Sequence, residues 1–182
     1  SCLRACWRRS TMPRYVALLR GVSPMNLKMP ALKRCVEDAG FDNVRTLLSS
    51  GNVAFDASKQ SERVLARRIE TAMATALDRV FWTVVRPTLH LQALLDSDPF
   101  AAFDLPAGAK KVVTFLREPP AKRMILPPET DGPRILAMDG LEIFSTYVPQ
   151  PGNPAFMALL EKTFGGAITT RTWDTVRKCA AA

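Results

Sequence analysis

The chain has 182 residues, 47% apolar and 23% charged, which is enough to bury one ordinary core or two small ones. Its formal charge is +8, and without residues 1–11, which bring Arg4, Arg8 and Arg9 but no acid, 22 basic groups stand against 17 acidic ones, or +5. That excess permits a phosphate-bearing partner without requiring one. No apolar run approaches the roughly 18 residues that cross a bilayer, so a cytoplasmic protein with no membrane partner is expected.

Residues 1–11 have neither a helical nor a strand period, and "MPRYVALLRG" reads as a fresh start, so the first eleven residues are expected to be a disordered extension. "RYVALLRG" (14–21) is a continuous apolar run closed by glycine, the pattern of a central strand buried on both faces. "PALKRCVEDAG" follows a polar loop, with Pro30 in a first helical turn, Leu32, Cys35, Val36 and Ala39 at helical spacing, and Gly40 as the stop. "VRTLLSSGNVAFDA" predicts two antiparallel strands turning at Ser50, Gly51 and Asn52, because Gly and Asn tolerate positive φ. Residues 61–77 place Leu65, Ile69, Ala72, Met73 and Ala76 on one helical stripe, and "VFWTVV" (80–85) has strand composition.

Thr88 is the expected N-cap of a connecting helix, and 97–109 changes to Pro, Ala and Gly as a linker would. Beyond it come a strand at 110–116, a segment with five prolines between 119 and 133 that leaves room only for a stub of helix, and a hairpin at 134–148 turning at Asp139 and Gly140. A helix follows, with Asn153 as cap and Pro154 in its first turn, then a short strand at 167–170. The expected fold class is therefore α+β: two ferredoxin-like β-α-β-β-α-β plaits in tandem plus a C-terminal helix. The expected domains are 12–96 and 110–182. In that last helix Thr172 is the cap and Trp173, Val176 and Ala180 share a face, which makes Trp173 an anchor on the core.

Chemistry is harder to find. Nucleophilic or zinc chemistry would depend on His90, the single histidine, and the four cysteines, Cys2, Cys6, Cys35 and Cys179, have no metal or redox spacing. No phosphate-loop, dinucleotide or hydrolase-elbow motif occurs, so no catalytic residue, metal or cofactor is expected. An RNA-stacking sheet is disfavoured, since "YVALLRG" offers only Tyr15 and "GNVAFDA" lacks the basic-Gly-aromatic pattern. The informative stretch is "GVSPMNLKM" (21–29), long for a strand-to-helix connection. Lys28, Lys33 and Arg34 crowd a helix start, where cations oppose the macrodipole and an anion would relieve them. Arg20, Ser23, Asn26 and Lys28 are the candidate anion ligands, and Arg171, at a strand end before the last helix, joins them.

"YVALLRGV", "GFDNVRTLLSSGNVAFD", "DPF", "LLEKTFG" and "TTRTWDTV" together resemble one bacterial family, domain of unknown function 1697, over about Tyr15 to Val176. The resemblance implies two ferredoxin-like plaits and a cytoplasmic bacterial setting, and no activity. The chain departs from the family at Ser23, Pro24 and Met25, where a glycine-rich turn is common, and at Asn153 and Pro154, where a Ser-Lys pair is. Pro24 removes a donor N–H from the loop. The function expected on these grounds is a binding module for an anionic ligand or nucleic acid. The alternatives are an enzyme with an active site between its halves, and an interaction or assembly module.

Overall fold

The computed structural model describes residues 12–120, 123–127 and 132–182, so the expected N-terminal extension lies outside the described residues. The elements run β1 (Arg14–Leu19), α1 (Met29–Asp38), β2 (Asp42–Leu47), β3 (Asn52–Asp56), α2 (Glu62–Leu77), β4 (Thr83–Pro87), α3 (Thr88–Ser97), β5 (Lys110–Leu116), β6 (Arg134–Asp139), β7 (Glu142–Tyr147), α4 (Ala155–Phe164), β8 (Ile168–Thr172) and α5 (Trp173–Ala180). They form a mixed α+β architecture with two four-stranded antiparallel sheets, ordered β2-β3-β1-β4 and β6-β7-β5-β8. The described residues divide into two compact units, 12–91 with 179–182, and the described part of 92–178.

In the first unit the period of two along β1 sends Tyr15, Ala17 and Leu19 to one face, where register pairs Tyr15 with Phe55 and Ala17 with Val53. That face is roofed by the apolar stripes of two helices, Leu32, Cys35 and Val36 from α1 and Leu65, Ala66, Ile69 and Met73 from α2, all in one cluster. Phe41 lies 4.6 Å from Phe55, and the Arg68 guanidinium sits 4.3 Å over the Phe41 ring while donating to Ala39 O at 3.1 Å. Cation–π contact and carbonyl together hold α2 against the end of α1. The start of α2 is fixed by Ser61, whose Oγ accepts the Val64 N–H at 3.2 Å. At the other end of β1, Arg14 pairs with Asp56 at 2.9 Å and donates through Nε to the carbonyl of Ala182 at 2.6 Å, tying the chain's end to the sheet.

β4 begins later than the expected 80–85. Its ladder with β1 runs from Thr83 opposite Leu19 to Pro87 opposite Tyr15, so it includes Arg86, which interrupts the apolar run. Arg86 is buried, donates to Val85 O at 3.1 Å and meets Glu62 at 3.9 Å. Thr88 is the first residue of α3 and turns its hydroxyl to Arg14 O at 3.3 Å. Asn52, expected in the turn, opens β3 with its side chain fully buried.

The second unit packs Val112, Leu116, Ile143 and Ile168 of its sheet against Phe156 and Leu160 of α4, with Tyr147 stacked on Phe156 at 4.3 Å. Between β5 and β6, where the first unit has α1 between its corresponding strands, the described residues form no helix, and Leu126 of the proline-rich segment packs against this cluster. The hydroxyls of Thr114 and Ser145 are buried in this sheet without a hydrogen-bond partner. On the opposite face Phe100 lies edge-on to Phe144 (5.7 Å) and to Trp173 (5.0 Å), so the 97–109 segment supplies a core residue. Trp173 is the anchor its spacing suggested, and Thr172 Oγ1 accepts the Thr175 N–H at 3.3 Å.

Candidate functional site

The residues singled out in the sequence, Arg171 apart, gather at one end of the first sheet, where β1 and β2 finish and β3 and β4 begin. Three segments adjoin there: the β1–α1 loop (20–28), the β2–β3 turn (48–51) and the residues before β4 (80–82). Backbone hydrogen bonds join them, Leu19 N–H to Gly51 O at 2.9 Å and Arg20 N–H to Trp82 O at 2.8 Å. Gly51 has φ +82°, and a Cβ there would stand 2.8 Å from Val22 Cβ and 3.0 Å from Leu19 Cβ. Only glycine fits between turn and loop. The Asn52 amide donates to Leu47 O and to Ser50 Oγ, each at 3.0 Å, and Leu48 is held at φ +57° with its side chain exposed.

The β1–α1 loop is closed by its own polar groups. Asn26 Oδ1 accepts the Ser23 N–H at 2.9 Å while its Nδ2 donates to Gly21 O at 2.8 Å, so one side chain spans the loop. Ser23 O accepts the N–H groups of Asn26 and Leu27, Ser23 Oγ accepts that of Met25, and Lys28 Nζ donates to Pro24 O at 2.8 Å. The N–H groups of 23, 25, 26 and 27 are spent on the loop, and Pro30, in the first turn of α1, has none. Ser23 and Asn26 are therefore scaffold. Lys28 is exposed, and its ammonium keeps two hydrogens beyond the one given to Pro24 O. The first turn of α1 has no acid, and Lys33 meets Glu37 at 3.9 Å.

Arg171 belongs to the second unit. It is 8% exposed and donates to Thr169 Oγ1 at 2.9 Å and Thr170 O at 2.7 Å, so its guanidinium braces β8 locally. Gly51, Val22 and Leu48 were missed as parts of the site. The Ser-Gly-Asn turn signal pointed at Gly51, whereas nothing local marks Leu48 for positive φ.

Two cavities lie elsewhere. One of about 610 Å³ runs between α1 and α2, lined by Cys35, Ala39, Arg67 and Ala72 among others. Burial first, and the charge of Asp38 second, push the Cys35 thiol above its ordinary pKa, which suits a protonated, unreactive core thiol. The other, of about 650 Å³, opens beside Arg134, Tyr147, Asn153 and Phe156 in the second unit. Among the described residues no group of three or more His, Cys, Asp or Glu is placed to hold a metal. His90 is exposed on α3, and Cys179, like Cys35, is free and buried.

Residues 12–144 match the family described as protein of unknown function (DUF1697). The chain belongs to this family. Its fold is similar to the solved structure of the conserved bacterial protein SP0830 from Streptococcus pneumoniae, with a TM-score of 0.70 and 21% identity over 94% of this chain and 98% of that one. No curated protein matches. Among the described residues of this DUF1697 member, no helix is long and apolar enough to cross a membrane.

Proposed function

We propose that this DUF1697 protein is a binding module for a phosphate- or carboxylate-bearing partner, a nucleotide or nucleic acid included, engaged at the end of the first sheet through Arg20 and Lys28 and shaped by Ser23 and Asn26. The observation that carries this reading is the locking of an exposed loop: the Asn26 bridge and the glycine-only contact between Gly51 and Val22 hold cationic side chains on a surface already ordered before any partner arrives. Arg171 is a separate candidate, subordinate because its guanidinium already has neighbours in β8. The strand orders β2-β3-β1-β4 and β6-β7-β5-β8 support the finer reading of both units as ferredoxin-like plaits, and a bacterial, cytoplasmic setting belongs to the same proposal. Titration with inorganic phosphate, a nucleotide panel and single-stranded RNA and DNA at low and high salt tests the proposal. Binding that weakens with salt and in Arg20→Gln/Lys28→Gln supports it, and silence from every probe at low salt ends it.

A further inference from the structure

The end of the first sheet that carries the proposed anion site also carries apolar side chains that the core does not use. Met25 is 92% exposed, and Leu48 and Val80 are each 49% exposed. Each comes from a different one of the three adjoining segments, which the Leu19–Gly51 and Arg20–Trp82 hydrogen bonds join. Exposed aliphatics scattered singly are ordinary; these three stand on segments that backbone hydrogen bonds join, the β1–α1 loop and the stretch before β4 carrying cations as well. Arg20, Lys28 and Arg79 supply the charge, and Asp78 is the single acid within residues 20–28, 48–51 and 78–82. Leu48 is the most telling of these residues. Its backbone sits at φ +57°, where glycine or asparagine costs less, and its side chain gains no full burial in return.

We infer that this end of the first unit rests on an anionic lipid surface, with Met25, Leu48 and Val80 entering the headgroup layer and Arg20, Lys28 and Arg79 meeting lipid phosphates. The inference rests on the proposed anion site and names its partner. A peripheral contact of this kind needs no spanning helix. Charge complementarity with a negative leaflet fits a cationic rim around aliphatic tips. A second copy of the chain would bring like charge to the same place. Single-stranded nucleic acid calls for exposed ring faces, whereas Phe81 is buried with Arg79 4.7 Å from its centroid, Trp82 is only partly exposed, and the most exposed apolar side chains are aliphatic.

Flotation of the full chain with vesicles of phosphatidylglycerol and phosphatidylcholine in equal parts, against vesicles of phosphatidylcholine alone, tests this at low and high salt. The informative variant is Leu48→Asn with Met25→Ser, because asparagine suits the backbone at 48 and leaves the melting temperature unlowered. Binding to the anionic vesicles alone, reduced at least about tenfold in that variant and only partly by salt, is the expected result. Binding unchanged in the variant overturns the insertion of aliphatic tips. A protein that takes free phosphate but ignores vesicles overturns the lipid source and leaves the anion site standing. Nucleic-acid binding lost in the same variant, with vesicles ignored, replaces the lipid by that polymer.

Discussion

The two units thread four strands in the same spatial order but roof their sheets differently. In the first, α1 and α2 cover one face together and share one cluster with the sheet, from Tyr15 to Val85. In the second, α4 packs against the sheet and the proline-rich stretch contributes Leu126 where the first unit has a helix. The buried hydroxyls of Thr114 and Ser145 belong to this second sheet. One strand order thus goes with two kinds of cover, a second helix in the first unit and, among the described residues of 117–133, the apolar side chain of Leu126 in the second. The unit roofed by two helices is also the one whose β1–α1 loop and β2–β3 turn are held together.

Truncating the two cores is the harshest way to break that comparison. Phe55→Ala, under both helices, is expected to cost about 3–5 kcal/mol in denaturant unfolding, and Phe156→Ala about 3, because its edge is more open. A larger loss from Phe156 would reverse the ranking. Next in size is Gly51→Ala: positive φ and the closeness of Val22 predict a loss of about 2 kcal/mol, together with weaker anion binding as turn and loop part. Normal stability in that variant would show that the two segments are not locked. Thr114→Val sharpens the contrast from the other side. Removing an unpartnered buried hydroxyl at constant shape should raise stability by about 1 kcal/mol, and a loss would mean that the hydroxyl has a partner. The smallest effect is expected at Leu48→Asn, a gain of about 0.5–1 kcal/mol in thermal unfolding from relief of the left-handed backbone.

Elements with strong local signals were legible in the sequence. The stripe on α2, the 110–116 strand and the Trp173 anchor stand where pattern placed them, and the expected Asp139–Gly140 turn falls one residue on, at Gly140 and Leu141, with Asp139 closing β6 opposite Glu142. β4 was misplaced because Arg86 looks like the end of a strand, and only tertiary neighbours, Val85 O and Glu62, make it a buried member of one. Phe100 was lost in a stretch whose composition says linker, since one buried ring does not change the character of ten residues. At the candidate site the cations were readable, but the loop's inward hydrogen bonds were not. Ser23 and Asn26 look like ligand chemistry in a sequence, and distances of 2.8–2.9 Å within the loop assign the Asn26 side chain, and one hydrogen of the Lys28 ammonium, to its own architecture. The contact of Gly51 with Val22 joins residues remote in sequence and carries no local sign at all.

Amide chemical-shift mapping of the whole chain during titration with inorganic phosphate and then a nucleotide at low salt tests the central claim most directly. Perturbations confined to residues 20–28, 48–51 and 80–82, and abolished by Arg20→Gln with Lys28→Gln, are the expected result. Shifts centred instead on the cavity beside Arg134 and Tyr147, or no shifts anywhere, would contradict it.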